Sequence, residues 1–385
     1  MSHTLENPVR VGVVGGGQLA RMMGDEAHDV GVELTVLATA LDDAAVATAD
    51  HVLVGGATDE AALLRLSECT DVITFDHELV DLDVLDRLVA RGIVVRPRPA
   101  ALRFSVDKAL QRERFAAAGL PLPHHVVVRH DDDLVLVQDW SRTHAAPPVI
   151  KAARGGYDGR GVLFPNDDTQ GVAMARELLE RGPVVVEERI ALVGEVAQLV
   201  ARSLDDEVVT YPLVTTVQSD GMCVEVQYPS DVVDDLHAQA RELSVAIARD
   251  IDLVGVMAVE FFVTAEGLLI NELALRPHNS GHWTIEGAST SQFANHLRAV
   301  SGQTLGPGDP RHRAAVMVNV VGADAPGSLE AAEAVAGAQV HDYGKAWRPG
   351  RKLGHVTVVG DDVTTAHVTA WKSARAYGTN TREAP

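Results

Sequence analysis

The sequence predicts an α/β protein: a parallel sheet covered by helices at the start, a mixed region of hairpins and helices in the middle, and a smaller, mainly β region at the end. Three observations point there. Short apolar runs alternate with helix-like stretches as far as Arg96-Pro97-Arg98-Pro99, glycine-rich turns and a hairpin pattern mark the middle, and further strand-like runs close the chain. At 385 residues and 41.0 kDa the chain exceeds one ordinary domain and divides into two or three, each able to bury its own core. Hydrophobic residues make up 46% and charged residues 23%, a globular balance that excludes a fibre or a disordered chain. Against 54 Asp and Glu stand 33 Lys and Arg, and the formal charge of -21 disfavours a general nucleic-acid binder. Residues 1–8 are polar and lack a signal peptide's apolar core, and no apolar run approaches the roughly 18 residues of a membrane span, so a cytoplasmic protein is expected. Cys69 and Cys223 lie far apart without CxxC or Cys/His ligand spacing, which reads as two buried thiols and not as a disulfide framework or a zinc site.

Taken in order, residues 9–14 form a nearly continuous apolar run that reaches Gly15-Gly16-Gly17, after which Leu19, Met22 and Met23 begin a helical pattern. Residues 32–37, 52–54 and 72–75 read as further strands, with helix-like stretches at 60–67 and 83–91. The double proline at Pro97 and Pro99 sets a boundary near residue 104, giving units of 1–104, 105–304 and 305–385. Within the second, 107–118 reads as a helix ended by Gly119 and Pro121, and 149–151 and 184–187 as strands around a glycine-rich loop. Leu236, Ala240, Leu243 and Ile247 mark one face of a helix, and strands run from 254 to 271. The third unit holds strands at 315–321, 339–341 and 355–359, with a mobile tail from Ser373.

Five segments carry chemistry. Gly15-Gly16-Gly17-Gln18-Leu19-Ala20 fits the turn that sets a pyrophosphate on a helix N-terminus, but the ribose-binding acid is missing, since Leu37 is followed by Ala38, Thr39 and Ala40. The turn therefore also fits helix packing or a smaller phosphate ligand. Between Lys151 and Gly161 lie four glycines (155, 156, 159 and 161) and three cations (Lys151, Arg154 and Arg160), the composition of a phosphate-covering lid and not of a GK[ST] loop. Residues 259–264 and 268–272 read as a hairpin. A three-residue loop of Ala265, Glu266 and Gly267 sets Glu260 directly opposite Glu272, with their β-carbons about 5 Å apart. Such a like-charge pair among apolar neighbours calls for a cation, and two carboxylates backed by the Asn271 amide suit Mg²⁺ shared with nucleotide phosphates. The following loop presents Arg276, His278, Asn279 and Ser280 beside them. Lastly, Lys345, Arg348, Arg351 and Lys352 gather four cations in an acidic chain, a setting for a substrate phosphate or a solvated turn.

Together these segments resemble the ATP-grasp superfamily and, within it, the N5-carboxyaminoimidazole ribonucleotide synthase family. The resemblance runs along nearly the whole chain and is carried by GGGQLARM from Gly15, GGYDGRG from Gly155, LLINELALRPHNSGHW from Leu268 and RPGRKLGH from Arg348. It implies a Rossmann-like N-terminal domain, a central ATP-grasp domain, a small C-terminal β domain, and a homodimer. It also implies an ATP-dependent ligase of purine synthesis that carboxylates aminoimidazole ribonucleotide with bicarbonate by way of carboxyphosphate. By the same resemblance Lys108 and Lys151 contact ATP phosphates beneath a lid of Gly156, Tyr157, Asp158, Gly159, Arg160 and Gly161. Glu187, Glu188 and Ile190 hold adenine largely through backbone groups, Glu195 binds the ribose, and Gln218 stands where some relatives carry a His near the nucleotide. Glu260 and Glu272, with Asn271, hold Mg²⁺, for which Mn²⁺ can substitute. Tyr157, Asp158, Arg160, Lys345 and Arg351 surround the ribonucleotide, with Arg348 and Lys352 beside them and Gln18, Leu19 and Glu78 contributed by the N-terminal domain. Arg276, His278, Asn279 and Ser280 enclose bicarbonate, and His278 or Asp158 manages the amine proton. The chain departs from the family at Ala274-Leu275-Arg276, where members often read APR, and at Asp76-His77-Glu78-Leu79, where they often read EFEN. A formate-dependent glycinamide ribonucleotide transformylase and an NAD-dependent dehydrogenase built on the first glycine turn are the competing readings.

Overall fold

The N-terminal sheet is parallel because helical crossovers join its strands, and its inner strands are covered on both faces. The computed structural model describes residues 8–156, 161–219 and 221–380, and orders four of their strands as His51–Val54, Val32–Ala38, Val9–Val14 and Val72–Phe75. The adjacent pairs Val13 and Val14, and Val36 and Leu37, are buried, so both faces of these strands are covered and the runs read as continuous and not alternating. Helix Gln18–Val30 turns Leu19, Met22, Met23 and Ala27 into this core and ends at Gly31, whose φ of 73° suits glycine. The two other predicted helices are Glu60–Cys69 and Leu82–Ala90, capped by the side chains of Asp59 and Asp81.

Asp107 caps helix Lys108–Ala117 by accepting from the N–H groups of Ala109 and Leu110. A small antiparallel sheet follows, ordered His125–Val128, Val184–Glu187, Val149–Ala152 and Val162–Leu163. Helix Asp234–Asp250 packs the predicted Leu236, Ala240, Leu243 and Ile247 into the main core.

The largest sheet joins the middle of the chain to its end. Its order is Gly267–Ala274, Gly255–Thr264, Gly194–Arg202, Val214–Ser219, Met222–Tyr228, Ala314–Val321, Lys352–Gly360 and Ala338–Asp342, with Val208–Thr210 paired to Gly194–Arg202. The C-terminal strands thus continue the central sheet through the pairing of Met222–Tyr228 with Ala314–Val321. The tail expected to be mobile from Ser373 is instead helical through Tyr377. Helix Val363–Tyr377 buries Ala366, Ala370, Trp371 and Ala374 at helical spacing, Ser373 Oγ donates to the Ala332 carbonyl at 2.9 Å, and Trp371 Nε1 donates to Glu225 at 2.7 Å. The cysteines are free and half-buried, less enclosed than two core thiols.

One buried histidine bolts the N-terminal sheet to the large one. His296 Nδ1 accepts from the Val256 N–H at 3.1 Å, so its Nε2 carries the proton and donates to Thr74 Oγ1 at 2.7 Å. Among the described residues no helix is long and apolar enough to cross a membrane.

Candidate active site

The hairpin places its two carboxylates by a route the sequence did not reveal. It closes through Ala265 and Glu266 alone, with Thr264 paired to Gly267, because Thr264 Oγ1 donates to the Gly267 carbonyl at 3.0 Å and accepts from the Glu266 N–H at 3.1 Å. That register would set Glu260 against Asn271. A β-bulge at Asn271 inserts one residue and restores Glu260 opposite Glu272. The Glu260 side chain is 17% exposed and that of Glu272 is 42% exposed. Burial and the charge of Glu272 push the Glu260 carboxyl up to about 8, whereas the Lys108 ammonium, 2.5 Å from Glu272 Oε2, holds Glu272 down to about 2.

Helix Lys108–Ala117 and the small sheet bring cations to these acids. Lys151 Nζ lies 2.6 Å from Glu187 Oε2 and 3.5 Å from Asn271 Oδ1. Burial lowers its pKa against the pull of Glu187. Glu187 is itself buried, and Lys151 and Arg112 overcome that burial to hold it at about 2. Its side chain is therefore committed to an internal ion cluster, and only its backbone is left for a base. Glu188 donates its N–H to the His124 carbonyl at 2.8 Å, and Ile190 lies half-buried just beyond the strand. Glu195 sits in the next sheet opposite Phe262, its carboxyl pushed up to about 7 by burial. Arg154 pairs with the capping Asp107 at 2.7 Å.

The loop after the hairpin folds back over Glu260. His278 Nδ1 accepts from Ser280, leaving Nε2 to face Glu260 Oε1 at 3.6 Å. Arg276 Nε donates to Glu78 Oε2 at 2.6 Å, across the boundary between the N-terminal sheet and the largest sheet. Asn279 exchanges amide hydrogen bonds with Asn319 at 2.9 and 2.7 Å. Gln292 holds the His278 backbone from both sides, accepting from its N–H at 2.8 Å and donating to its carbonyl at 2.7 Å.

Three family models match in chain order: a ribonucleotide synthetase preATP-grasp domain at residues 9–105, an ATP-grasp domain at 113–293, and a phosphoribosylaminoimidazole carboxylase C-terminal domain at 315–369. The chain is 46% identical to the N5-carboxyaminoimidazole ribonucleotide synthase of Mycobacterium bovis, over 92% of this chain and 84% of that one. It belongs to the N5-carboxyaminoimidazole ribonucleotide synthase family. The ADP complex of an N5-carboxyaminoimidazole ribonucleotide synthetase superposes with a TM-score of 0.88 at 30% identity, covering 98% of this chain and 99% of that one. The Aspergillus clavatus N5-carboxyaminoimidazole synthase in complex with ADP and 5-aminoimidazole ribonucleotide superposes with a TM-score of 0.86 at 30% identity, covering 96% and 99%.

Against this family background the remaining predicted residues divide. Lys345 Nζ donates to Gln18 Oε1 at 2.6 Å, joining the C-terminal region to the first helix, and burial lowers its pKa to about 8. Lys352 opens its strand and its charge acts on Glu260; Arg351 Nη1 donates to the Ala346 carbonyl at 3.1 Å, and Arg348 is exposed on the same turn. The Leu19 side chain is 6% exposed and belongs to the core, because the apolar face of its helix points there, which leaves its backbone for a ligand. Gln218 pairs with Cys223 at a bulge in its strand. Gly161 pairs its carbonyl with the Ala152 N–H at 2.9 Å, and Gly156 ends the preceding described stretch, while Tyr157, Asp158, Gly159 and Arg160 lie outside the described residues.

The glycine turn at the first helix is closed by the protein itself. Gly17 donates its N–H to Asp76 Oδ2 at 2.6 Å, and a Cβ on Gly15 would stand 1.8 Å from Asp76 Oδ1. A carboxylate thus already takes one of the N–H groups that a dinucleotide pyrophosphate would use, which together with the family match disfavours the dehydrogenase reading. Sequence reasoning missed Asp76, Arg112, Gln292 and Asn319. For Arg112 a signal existed: it stands one helical turn after Lys108, between Ala109 and Phe115 of a buried face.

Proposed function

We infer that this chain performs the reaction of its family: ATP-dependent carboxylation of 5-aminoimidazole ribonucleotide by bicarbonate, giving N5-carboxyaminoimidazole ribonucleotide, ADP and phosphate. The observation that carries the reading is the family match over 92% of the chain. Bicarbonate is a weak electrophile with a poor leaving group, and transfer of the γ-phosphoryl group turns it into carboxyphosphate, which the ribonucleotide amine can attack. Lys108, beside Glu272, and Lys151, beside Asn271, contact the nucleotide phosphates and balance their charge. Glu195 faces the ribose. Arg276, fixed by Glu78, and the Ser280-bonded His278 border the bicarbonate position. His278 Nε2 is the group positioned to exchange a proton near Glu260. Gln18, Lys345, Arg351 and Lys352 form the ribonucleotide side, with Lys345 and Arg351 toward its phosphate.

The residues fit a divalent ion. Among the described residues no three His, Cys, Asp or Glu side chains gather to hold a metal alone, whereas Glu260 and Glu272 oppose each other and leave the remaining ligand positions to phosphate oxygens. Mg²⁺ bound there supplies positive charge to the phosphoryl group in flight. The same reading makes the enzyme cytoplasmic and homodimeric, which fractionation and sedimentation velocity test. The reaction itself is tested by coupled ADP release with the ribonucleotide and bicarbonate omitted in turn. Release that needs both supports the assignment, and release that needs formate and glycinamide ribonucleotide instead would establish the transformylase.

A further inference from the structure

Beyond its charge beside Glu187, Arg112 has no part in the roles described above, yet its guanidinium meets more of the site's framework than any lysine there. The residue is wholly buried on helix Lys108–Ala117. Nε donates to Glu187 Oε1 at 2.5 Å, Nη2 to the Asn271 carbonyl at 2.6 Å, and Nη1 to Gln111 Oε1 at 2.6 Å. Gln111 in turn donates to the Phe104 carbonyl at 2.8 Å, so the third arm is anchored to the neighbouring helix. One planar fork thus joins the small sheet, through Glu187, to the large sheet, through Asn271.

Asn271 is the extra residue of the bulge. Without the bulge the hairpin register set by Thr264 and Gly267 would continue, and Glu272 would fall opposite Val259 instead of Glu260. A slip of one residue turns every following side chain to the other face of the strand. Glu272 would then leave Glu260 and Lys108 together. The bulge carbonyl stands clear of a regular ladder, and a guanidinium N–H satisfies it at the position that keeps the irregular register. The other oxygen of Glu187 holds Lys151 at 2.6 Å, so the same fork also fixes the lysine nearest to Asn271.

We propose that Arg112 is a positioning residue for the divalent-ion pair: by gripping the Asn271 carbonyl and the Glu187 carboxylate at once, it locks the bulge that keeps Glu260 and Glu272 on one face and ties that face to Lys151. The proposal rests on the reading that Glu260 and Glu272 hold the ion, and its test separates the two. Mn²⁺ is titrated into the full chain with saturating ADP, free Mn²⁺ being read from its electron paramagnetic resonance signal. ADP affinity in EDTA is measured by calorimetry, for the wild type, Arg112→Lys, Arg112→Met and Glu272→Gln, each checked for folding by circular dichroism. Arg112→Met raises the Mn²⁺ dissociation constant at least tenfold and weakens ADP severalfold in EDTA. Arg112→Lys keeps a charge beside Glu187 and leaves ADP within twofold, but an ammonium has no fork to span Asn271 as well, so Mn²⁺ binding weakens as in the methionine variant. A purely structural role lowers the melting temperature and leaves Mn²⁺ affinity within twofold, which overturns the proposal. If Arg112→Met does not fold, the lysine variant decides by the same limit. Wild-type Mn²⁺ affinity in Glu272→Gln overturns the ion assignment and the proposal with it, whereas weak binding there beside wild-type affinity in Arg112→Lys overturns the proposal alone.

Discussion

The glycine turn of the first helix and the Glu260–Glu272 hairpin both bring a carboxylate to a place suited to the opposite charge, and they end differently. At the turn, Asp76 Oδ2 accepts the Gly17 N–H at the positive end of helix Gln18–Val30, so a carboxylate of the chain itself stands where an anion would, although burial pushes that carboxyl up and Oδ1 has no hydrogen-bond partner among the described residues. At the hairpin two acids face each other, and Lys108 pairs with only one of them. Burial and the charge of Glu272 push the Glu260 carboxyl up to about 8, so near neutral pH it holds a proton that a bound cation would displace. A site for a ligand is where the protein's own groups stop short of neutrality.

The contrast can be broken at several points. Glu272→Gln removes one of the facing acids and should lower kcat about 1000-fold or more with the circular dichroism spectrum unchanged; near-normal turnover in steady-state assays would sink the ion site. Gly15→Ala attacks the closed turn, where φ is 112° and the new Cβ would overlap Asp76. Here the loss is of stability, about 3 kcal/mol by urea denaturation, and a fold that tolerates alanine would show that the carboxylate does not fill the turn.

The bolt between the two regions titrates. Burial pushes His296 down to about 3, so the folded protein binds fewer protons than the unfolded chain, whose histidine titrates near its ordinary value. Its contribution is present in full above that value and lost as pH falls toward about 3, amounting to about 2 kcal/mol between pH 6.5 and 5. Denaturation of His296→Gln over that range should show a pH slope shallower by about one proton, and an unaltered slope would contradict the assignment. The smallest effect is expected from Asn319→Ala, which strips Asn279 of its amide partner: kcat falls about tenfold while the KM for ATP stays within twofold, a split that steady-state kinetics resolves.

Much of this was legible because it depends on local periodicity. The four parallel strands, their helices and the capped helix after Asp107 follow from apolar runs, glycine ends and side-chain caps. The facing of Glu260 and Glu272 was legible too, although the supposed three-residue loop is a two-residue turn followed by a bulge. Asn271 looks like any member of its strand, and what singles it out is a guanidinium from helix Lys108–Ala117, far away in sequence. Asp76, Gln292 and Asn319 were hidden for the same reason: each acts on a segment that only the tertiary fold brings near. The tail was misread because small residues at Ala366, Ala370 and Ala374 weaken the apolar signal of a helix that Trp371 and Glu225 nonetheless fasten.

The continuous large sheet also limits how the chain can be divided. Ending it before Ala314 would strip the partner from Met222–Tyr228 and leave Val224 and Val226, now fully enclosed, on a bare sheet margin open to stacking with other copies. The stretch from Ala314 onward is thus no detachable cassette: grafting it between relatives means preserving a backbone seam, and recombination crossovers belong in loops away from that seam.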